Sequence, residues 1–281
     1  MIVDAHCHVW VNWPYQPAVP DGSSRARAEQ VLFEMDANGV EQAVIICAAI
    51  GDNPRNVDYA FAASERHPGR FVVFPDLECR WSPAYRTPGA VQRLENALAQ
   101  WHFAGFTVYL AEDEDGGWLT GEEGSAFFEL AARRRLILSL SAMPHQMPAV
   151  SRLAAAQPTL PILCHHHAFL GPRTEATPDA LALVTAAAAQ RNIFIKVSGM
   201  GNVAAVDDEY PYERLSWIPQ SLRQAYGPDR LIWGSDYPVS RRHMTYRQTL
   251  AMTTRHGPFS AEEQAAVLGG TMAKLLARRQ V

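Results

Sequence analysis

Histidine and aspartate residues follow several apolar, strand-like stretches of this sequence. His6 and His8 come at the end of the first such stretch, and residues two apart in a strand point to the same side. Two imidazoles placed in this way can share one metal ion or contact one substrate oxygen. A histidine triplet at 165–167 and the aspartate Asp236 follow two later stretches. Several groups that could do chemistry therefore lie at or just beyond the ends of predicted strands.

The elements that must position these groups alternate regularly along the chain. Continuous apolar runs, often β-branched, are typical of strands buried on both faces of a parallel sheet, and helical patterns separate them. The sequence therefore predicts an α/β fold, a single (β/α)₈ (TIM) barrel with one domain over 1–281. The predicted strands are 2–6, 43–47, 71–75, 105–109, 136–140, 162–166, 193–197 and 231–234; the predicted helices are 25–38, 56–67, 90–101, 124–135, 146–156, 178–190, 212–226, 241–256 and 261–277.

A closed barrel would bring the polar residues together. The carboxyl ends of its parallel strands meet at one face, which is the catalytic face of this architecture. The first and eighth strands are neighbours in such a barrel, so we expect Asp236 to lie close to His6 and His8. Three long connections, 11–24, 77–89 and 110–123, follow strands at the same face and carry aromatic and charged residues that could form pocket walls.

Bulk composition excludes several functions. The chain has 281 residues, 48% of them hydrophobic and 19% charged, with a net charge of -4. This balance does not suit a nucleic-acid surface, and no apolar run approaches the roughly 20 residues of a membrane span. Four cysteines without a Cys-x-x-Cys pair and a first strand beginning at Ile2 predict a cytoplasmic protein without a signal peptide. A homodimer is the expected oligomer on general grounds.

Motifs along nearly the whole chain resemble the amidohydrolase superfamily. The similarity is greatest to its amidohydrolase-related (amidohydrolase 2) branch, which contains sugar-lactone hydrolases and 2-pyrone-4,6-dicarboxylate lactone hydrolases. The resemblance is carried by Asp-Ala-His-Cys-His-Val-Trp at 4–10, Met-Asp-Ala-Asn-Gly-Val at 35–40, His-Pro-Gly-Arg-Phe at 67–71, Pro-His-Gln-Met-Pro at 144–148, Lys-Val-Ser-Gly at 196–199, Gly-Ser-Asp-Tyr-Pro at 234–238 and the closing segment 268–276.

The resemblance implies roles for individual residues. His6 and His8 would bind a divalent metal such as Zn²⁺ where one is present, and Asp236 would be the general base and a further metal ligand. The functional histidine of the sixth strand would be His166, as a catalytic residue and a further metal ligand, with His165 and His167 pointing the other way.

Two departures from the family pattern affect the metal prediction. The segment 105–109 lacks the lysine of two-metal members, and 136–141 lacks the histidine found in many one-metal members. His145 lies just beyond that fifth strand and could replace the histidine or contact substrate. One divalent ion, with zinc as the first expectation, and a metal-free site are both consistent with the pattern.

The predicted reaction is the opening of a lactone or similar cyclic ester by water. Asp236 would remove a proton from the water, and a metal or the histidines would stabilise the oxyanion. Substrates of the branch are often acids, which a positive group would hold. The candidate substrate-binding residues are His145, Lys196, Arg173, Arg241 or Arg242, and Tyr109.

Two alternatives stay open at this point. One is a metal-dependent decarboxylase like aminocarboxymuconate-semialdehyde decarboxylase, which shares the first- and eighth-strand residues with this pattern. The other is a barrel without catalytic activity. Release of acid from lactones or of CO₂ from aromatic acids would distinguish the enzymes.

Overall fold

The fold was analysed in a computed structural model, in which residues 1–174 and 176–278 are described. Over these residues nine strands alternate with helices, and all paired strands are parallel. They are β1 Val3–Cys7, β2 Gln42–Ile46, β3 Phe71–Phe74, β4 Asp76–Cys79, β5 Gly105–Tyr109, β6 Ile137–Ser141, β7 Ile162–Cys164, β8 Ile193–Val197 and β9 Leu231–Trp233. Each of the eight predicted strands is present.

Helices surround the strands. They are α1 Ala28–Ala37, α2 Asn56–Arg66, α3 Ala90–Gln100, α4 Glu122–Arg133, α5 Met147–Ala156, α6 Pro178–Ala186, α7 Met200–Val203, α8 Trp217–Tyr226, α9 Tyr246–Thr254, α10 Ala261–Ala265 and α11 Thr271–Ala277. No helix among the described residues combines the length and the apolar character that a membrane crossing requires.

The strands form a (β/α)₈ barrel whose hydrogen-bonded ladder has two interruptions. One group has the order β1-β2-β3 and the other runs from β4 to β9. Pro75 separates β3 from β4 because it has no N–H to donate, so these two strands occupy one position in the barrel. The carbonyl of Pro75 still accepts from Thr107 N at 2.9 Å, which keeps the third and fourth barrel positions joined.

The barrel closes between its last and first strands through residues beyond the end of β9. The backbone N–H of His8 donates to Tyr237 O at 2.7 Å, and that of Asp236 donates to His6 O at 2.7 Å. The fully buried carboxylate of Asp4 adds a side-chain link, since it accepts from Ser235 N at 2.8 Å. This junction brings Asp236 beside the two histidines of the first strand.

Several predicted helices begin later or are interrupted. The helix predicted over 241–256 begins at Tyr246, because Thr245 caps it and residues 239–242 form a separate 3₁₀ turn. The prediction for 261–277 is interrupted by a π-helical segment over 266–270, although the capping box that Ser260 opens is confirmed. The predicted helix 212–226 is likewise split into a 3₁₀ turn and α8.

Gly105 is the first residue of β5. A Cβ there would lie 2.5 Å from Ile137 O and from the ring of Phe74, so glycine permits close packing of neighbouring strands.

Candidate active site

A cavity of about 570 Å³ opens at the carboxyl ends of the strands. Parts of all three long connections reach it, which agrees with their predicted role as pocket walls. Its lining residues are His6, His8, Tyr15, Ala48, Ile50, Arg80, Trp81, Tyr109, Glu112, Ser141, Met143, His165, His166, Phe169, Arg173, Thr174, Asn202, Asp236, Val239 and Arg242.

One carboxylate oxygen lies among three imidazoles in this cavity. Oδ1 of Asp236 is 3.4 Å from Nε2 of His8, 3.7 Å from Nε2 of His6 and 3.8 Å from Nε2 of His166. All four side chains are buried, and Oδ1 has no hydrogen-bond partner among the described residues. The convergence expected from the strand ends is therefore present.

The backbone at two of these residues adopts an unusual conformation. Asp236 has φ 56° and His166 has φ 45°, in the left-handed region that residues other than glycine rarely occupy. The hydrogen bonds from Asp236 N to His6 O and from Ser240 N to Asp236 O, 2.7 and 2.9 Å long, hold the aspartate in place. Such conformations concentrate at functional sites, where the surrounding structure has to enforce them.

The second oxygen of Asp236 fixes the direction of the carboxylate. Oδ2 accepts a hydrogen bond of 2.8 Å from Nδ2 of Asn202, which lies on α7. Burial raises the pKa of Asp236, but neighbouring His166, His8 and Asn202 outweigh burial and hold that pKa below its ordinary value of 3.8. The carboxylate is therefore ionised at neutral pH and directs one free oxygen into the cavity.

Two imidazoles of this cluster, those of His6 and His166, are neutral at physiological pH. Burial lowers the pKa of His166 to about 4, although Asp236 opposes this shift. Burial also lowers the pKa of His6 well below 6.5, and the nearby Lys196 adds to the effect. The site thus combines one negative charge with at least these two neutral rings, which can accept or donate hydrogen bonds.

The donor set fits one divalent ion of the zinc type. Tetrahedral zinc with bonds of about 2.0–2.1 Å has ligand atoms about 3.3 Å apart. The Nε2 atoms of His6 and His8 are 3.2 Å apart, and the three distances from Asp236 Oδ1 are 3.4–3.8 Å. His8 Nδ1 lies 2.7 Å from the carbonyl of Ile46 and must donate to it, which leaves Nε2 as a free ligand atom.

Lys196 sets a condition on metal binding through His6. Its Nζ lies 3.1 Å from Nδ1 of His6, and Nε2 of His6 can bind a metal only when Nδ1 carries the ring proton. Lys196 must then be a neutral amine that accepts a hydrogen bond from His6 Nδ1. Burial lowers the pKa of Lys196 to about 7, partly opposed by Asp4, so both forms of the lysine exist near neutral pH.

The expectation that His165 points away from the cavity is wrong. Strand β7 ends at Cys164, so the alternation of a strand does not extend through the triplet; residues from His166 to Phe169 have positive φ. His165 lines the cavity and its ring contacts that of His6 at a centroid distance of 4.5 Å. His167 is buried outside this cavity.

Only some of the predicted substrate-binding residues line the cavity. Tyr109, Arg173 and Arg242 line the cavity, whereas His145 contacts the carbonyl of Glu114 at 3.2 Å and is not in the described lining. Lys196 is fully buried beneath the cavity, where its Nζ donates to Ser139 Oγ at 2.7 Å.

Arg241 is directed elsewhere, because it pairs with Asp21 at 3.6 Å. Sequence reasoning missed Asn202, Ser139 and the inward direction of His165. The Lys-Val-Ser-Gly motif shortly before Asn202 was the available signal for that region.

Comparison with known proteins identifies the family. The amidohydrolase family model matches residues 3–278, almost the entire chain. The chain belongs to the amidohydrolase family. Within this family it is 25% identical over 252 residues to an L-fucono-1,5-lactonase from Burkholderia ambifaria, with 85% of this chain and 81% of the relative covered.

Solved amidohydrolase structures have the same fold. An amidohydrolase from Burkholderia multivorans with bound zinc superposes with a TM-score of 0.76 at 21% identity, over 99% of both chains. A probable 2-pyrone-4,6-dicarboxylic acid hydrolase from Acinetobacter baumannii with bound citric acid also gives 0.76, at 18% identity over 98% of this chain and 99% of that one. The family match over almost the whole chain makes this protein an enzyme of the amidohydrolase superfamily.

Proposed function

We propose that this amidohydrolase opens a lactone or similar cyclic ester by attack of a water that Asp236 activates. The observation that carries the proposal is the free, buried Oδ1 of Asp236, 3.4–3.8 Å from three imidazole nitrogens. A general base must reach its water and remain ionised, and this carboxylate meets both conditions.

The proposed reaction needs no external co-reactant. Asp236 takes a proton from water while the water oxygen bonds to the acyl carbon, which gives a tetrahedral oxyanion. The bond between the acyl carbon and the ring oxygen then breaks. Asp236 returns its proton to the departing alkoxide, and the product is a hydroxy acid.

The chain's own residues orient these steps. Asn202 holds Oδ2 and leaves Oδ1 toward the cavity, while the imidazoles of His6, His8 and His166 surround the position of the water. A divalent ion bound by this set would polarise the acyl oxygen and lower the pKa of water. Without it, an N–H group of His6 or His166 would stabilise the oxyanion.

The relatives support the same reaction class. The L-fucono-1,5-lactonase and the 2-pyrone-4,6-dicarboxylic acid hydrolase are named for the opening of six-membered lactones or pyrones. Arg173 and Arg242 at the cavity would hold a substrate carboxylate, since guanidinium groups bind carboxylates through paired hydrogen bonds. We therefore expect a lactone that carries a carboxylate.

The direct test is a titration assay on purified protein. Release of acid from a panel of five- and six-membered lactones, above the spontaneous rate, is the expected result. Release of CO₂ from dihydroxybenzoates or muconate-type acids, without acid release from any lactone, would instead establish the decarboxylase alternative.

We expect the acid limb of the pH profile to lie near pH 4. The pKa of His166 is lowered to about 4 and that of Asp236 lies below 3.8, so the neutral ring and the carboxylate persist until the pH falls through that range. In metal-free protein, where the condition set by Lys196 does not apply, kcat/KM for lactone opening should be nearly constant between about pH 5 and 7. A limb centred near 6.5, the ordinary value of histidine, would contradict the assignment of the acid limb to His166 and Asp236.

We also expect chelator-treated protein to bind one Zn²⁺ per chain. Calorimetric titration should give this stoichiometry, and His8→Asn should weaken binding by more than about 100-fold because it removes a ligand. His67→Asn, beyond the end of α2 and outside the cavity, is the matched control. Two ions per chain, no binding, or unchanged binding by the His8 variant would each refute the one-metal site.

A further inference from the structure

A second cavity, of about 160 Å³, lies between the end of β8 and the helices α8 and α9. We call it the rear cavity; none of its described lining residues is shared with the cavity at the carboxyl ends of the strands. The exposed residues Glu213, Ser216 and His256 stand at its outer end, so a ligand can enter from solvent. An engineered cavity of about 150 Å³ in another protein holds benzene, so the rear cavity has room for one six-membered ring.

The inner surface of the rear cavity is largely apolar and rich in methionine. The residues that form it include Met200, Met244, Met252, Val197 and Pro219. Thioether sulfurs make favourable contacts with aromatic rings, and methionine side chains adapt to the shape of a ligand. The described lining contains no arginine or lysine. This surface therefore suits an uncharged aromatic ring better than an anion.

One polar side chain, that of His167, interrupts this apolar surface. It is only 2% exposed, and neither of its ring nitrogens has a hydrogen bond of regular geometry among the described residues. The four residues 166–169 all have positive φ, and they direct His166 into the active-site cavity and His167 into the rear cavity. Such backbone costs free energy, so the surrounding structure has to enforce the opposite directions of the two rings.

The ring of His167 offers a hydrogen-bond acceptor to the rear cavity. The polar groups that act on it are His166 and the backbone of Ser198, with no carboxylate among them. A buried imidazole without an anionic partner stays uncharged, and it then has one N–H and one bare nitrogen. The Ser198 backbone is the acceptor beside the N–H, which leaves the bare nitrogen unpaired. A ligand that satisfied this nitrogen would have to be a hydrogen-bond donor.

Water is a poor occupant of the inner end of this cavity. A buried water needs about two to four polar partners, and His167 is the one lining side chain with an unpaired buried polar atom among the described residues. Displacement of a poorly held water by an apolar group favours binding. A ring that carries one hydroxyl group would therefore satisfy both the apolar surface and the histidine.

Ser198 connects the rear cavity with the catalytic cluster. Its backbone lies beside His167, and its Oγ is 3.0 Å from Nδ1 of His166. A ligand in the rear cavity would therefore lie against a residue that is hydrogen-bonded to one of the three imidazoles around Asp236.

We propose that the rear cavity is a binding site for a small, uncharged aromatic alcohol of the phenol class. The ring packs among the methionines, and the hydroxyl group donates to the bare nitrogen of His167. This site is separate from the substrate cavity. The inference does not depend on the proposed lactone opening, because binding is measured directly.

The experiment titrates phenol and toluene, which are similar in size and differ by one hydroxyl group, into protein labelled with [methyl-¹³C]methionine at pH 7. Phenol should shift the NMR signals of Met200, Met244 and Met252 in a saturable manner, because an aromatic ring changes the magnetic field at nearby methyl groups. Met143 lines the substrate cavity, so its signal is the internal control and should not move. Toluene should bind about tenfold more weakly than phenol, since it leaves the His167 nitrogen unpaired.

His167→Phe removes the acceptor and keeps an aromatic ring of similar size. It should weaken phenol binding about tenfold, and toluene should bind at least as tightly as in the native protein. His67→Phe, at the end of α2 and outside both cavities, is the matched control and should bind both ligands like the native protein.

Four results would overturn the inference. They are shifts at Met143 alone, no saturable shift at millimolar phenol, binding of toluene by the native protein as tight as that of phenol, and unchanged phenol binding by the His167 variant. A wholly apolar cavity would give the third result, because it prefers a methyl to a hydroxyl group. The first three results need only the native protein, so they remain decisive if the variant does not fold.

Discussion

Asp236→Asn should reduce kcat for lactone opening by about 10³-fold or more and leave the fold intact. The amide has nearly the same shape as the carboxylate but cannot accept a proton from water, and general bases typically contribute 10²–10⁴-fold. Oδ1 is the only carboxylate oxygen within 4 Å of the three imidazole nitrogens among the described residues. We therefore expect no described residue to replace it.

Steady-state kinetics together with circular dichroism would test this prediction. Asp58→Asn is the control, because Asp58 lies on α2 outside the cavity, where it pairs with Arg55, and the variant should retain native turnover. A variant of Asp236 that keeps turnover within tenfold of native would show that another group is the base.

Asp4→Asn should lower the free energy of unfolding by about 3 kcal/mol. The carboxylate accepts hydrogen bonds from Ser235 N at 2.8 Å, Ser235 Oγ at 2.5 Å, Tyr246 OH at 2.9 Å and His6 N at 3.1 Å. An amide provides one acceptor oxygen in place of two, so buried donors lose partners at about 1–3 kcal/mol each. The lost hydrogen bonds lie at the junction between β9 and β1 that closes the barrel.

Thermal or urea unfolding at pH 8, where the native side chain is ionised, measures this effect. Burial raises the pKa of Asp4 to about 6, so pH 8 lies above its titration. A fall in Tm of about 5 °C corresponds to the expected loss for a chain of this size. An unchanged Tm would mean that the junction between β9 and β1 is maintained without this carboxylate.

Most of the barrel could be predicted from sequence because its strands are buried on both faces. Continuous apolar runs such as 43–47 and 71–75 are typical of strands in that environment. The closeness of Asp236 to His6 followed from the same reasoning, since strand ends converge whatever the details of the loops. The strand predicted over 71–75 is present, but β4 at Asp76–Cys79 was missed because the region after Pro75 was predicted as a connection.

The remaining features depend on backbone geometry that apolar patterns do not encode. The side to which His165 points is decided by the end of β7 at Cys164 and the positive φ angles that follow. Asn202 reaches Asp236 from the short helix α7, 34 residues away in the chain. The pairing of Ser139 with Lys196 needs the register of β6 and β8, which only the assembled sheet defines.

The most direct test of the central claim uses a lactone that the enzyme hydrolyses. The reaction is run in H₂¹⁸O, and the hydroxy acid product is analysed by mass spectrometry. If water activated by Asp236 attacks the acyl carbon, one ¹⁸O enters the carboxylate of the product and none enters its new hydroxyl group. Label in the hydroxyl group, or a product that has lost CO₂, would contradict the proposed attack of water on the acyl carbon.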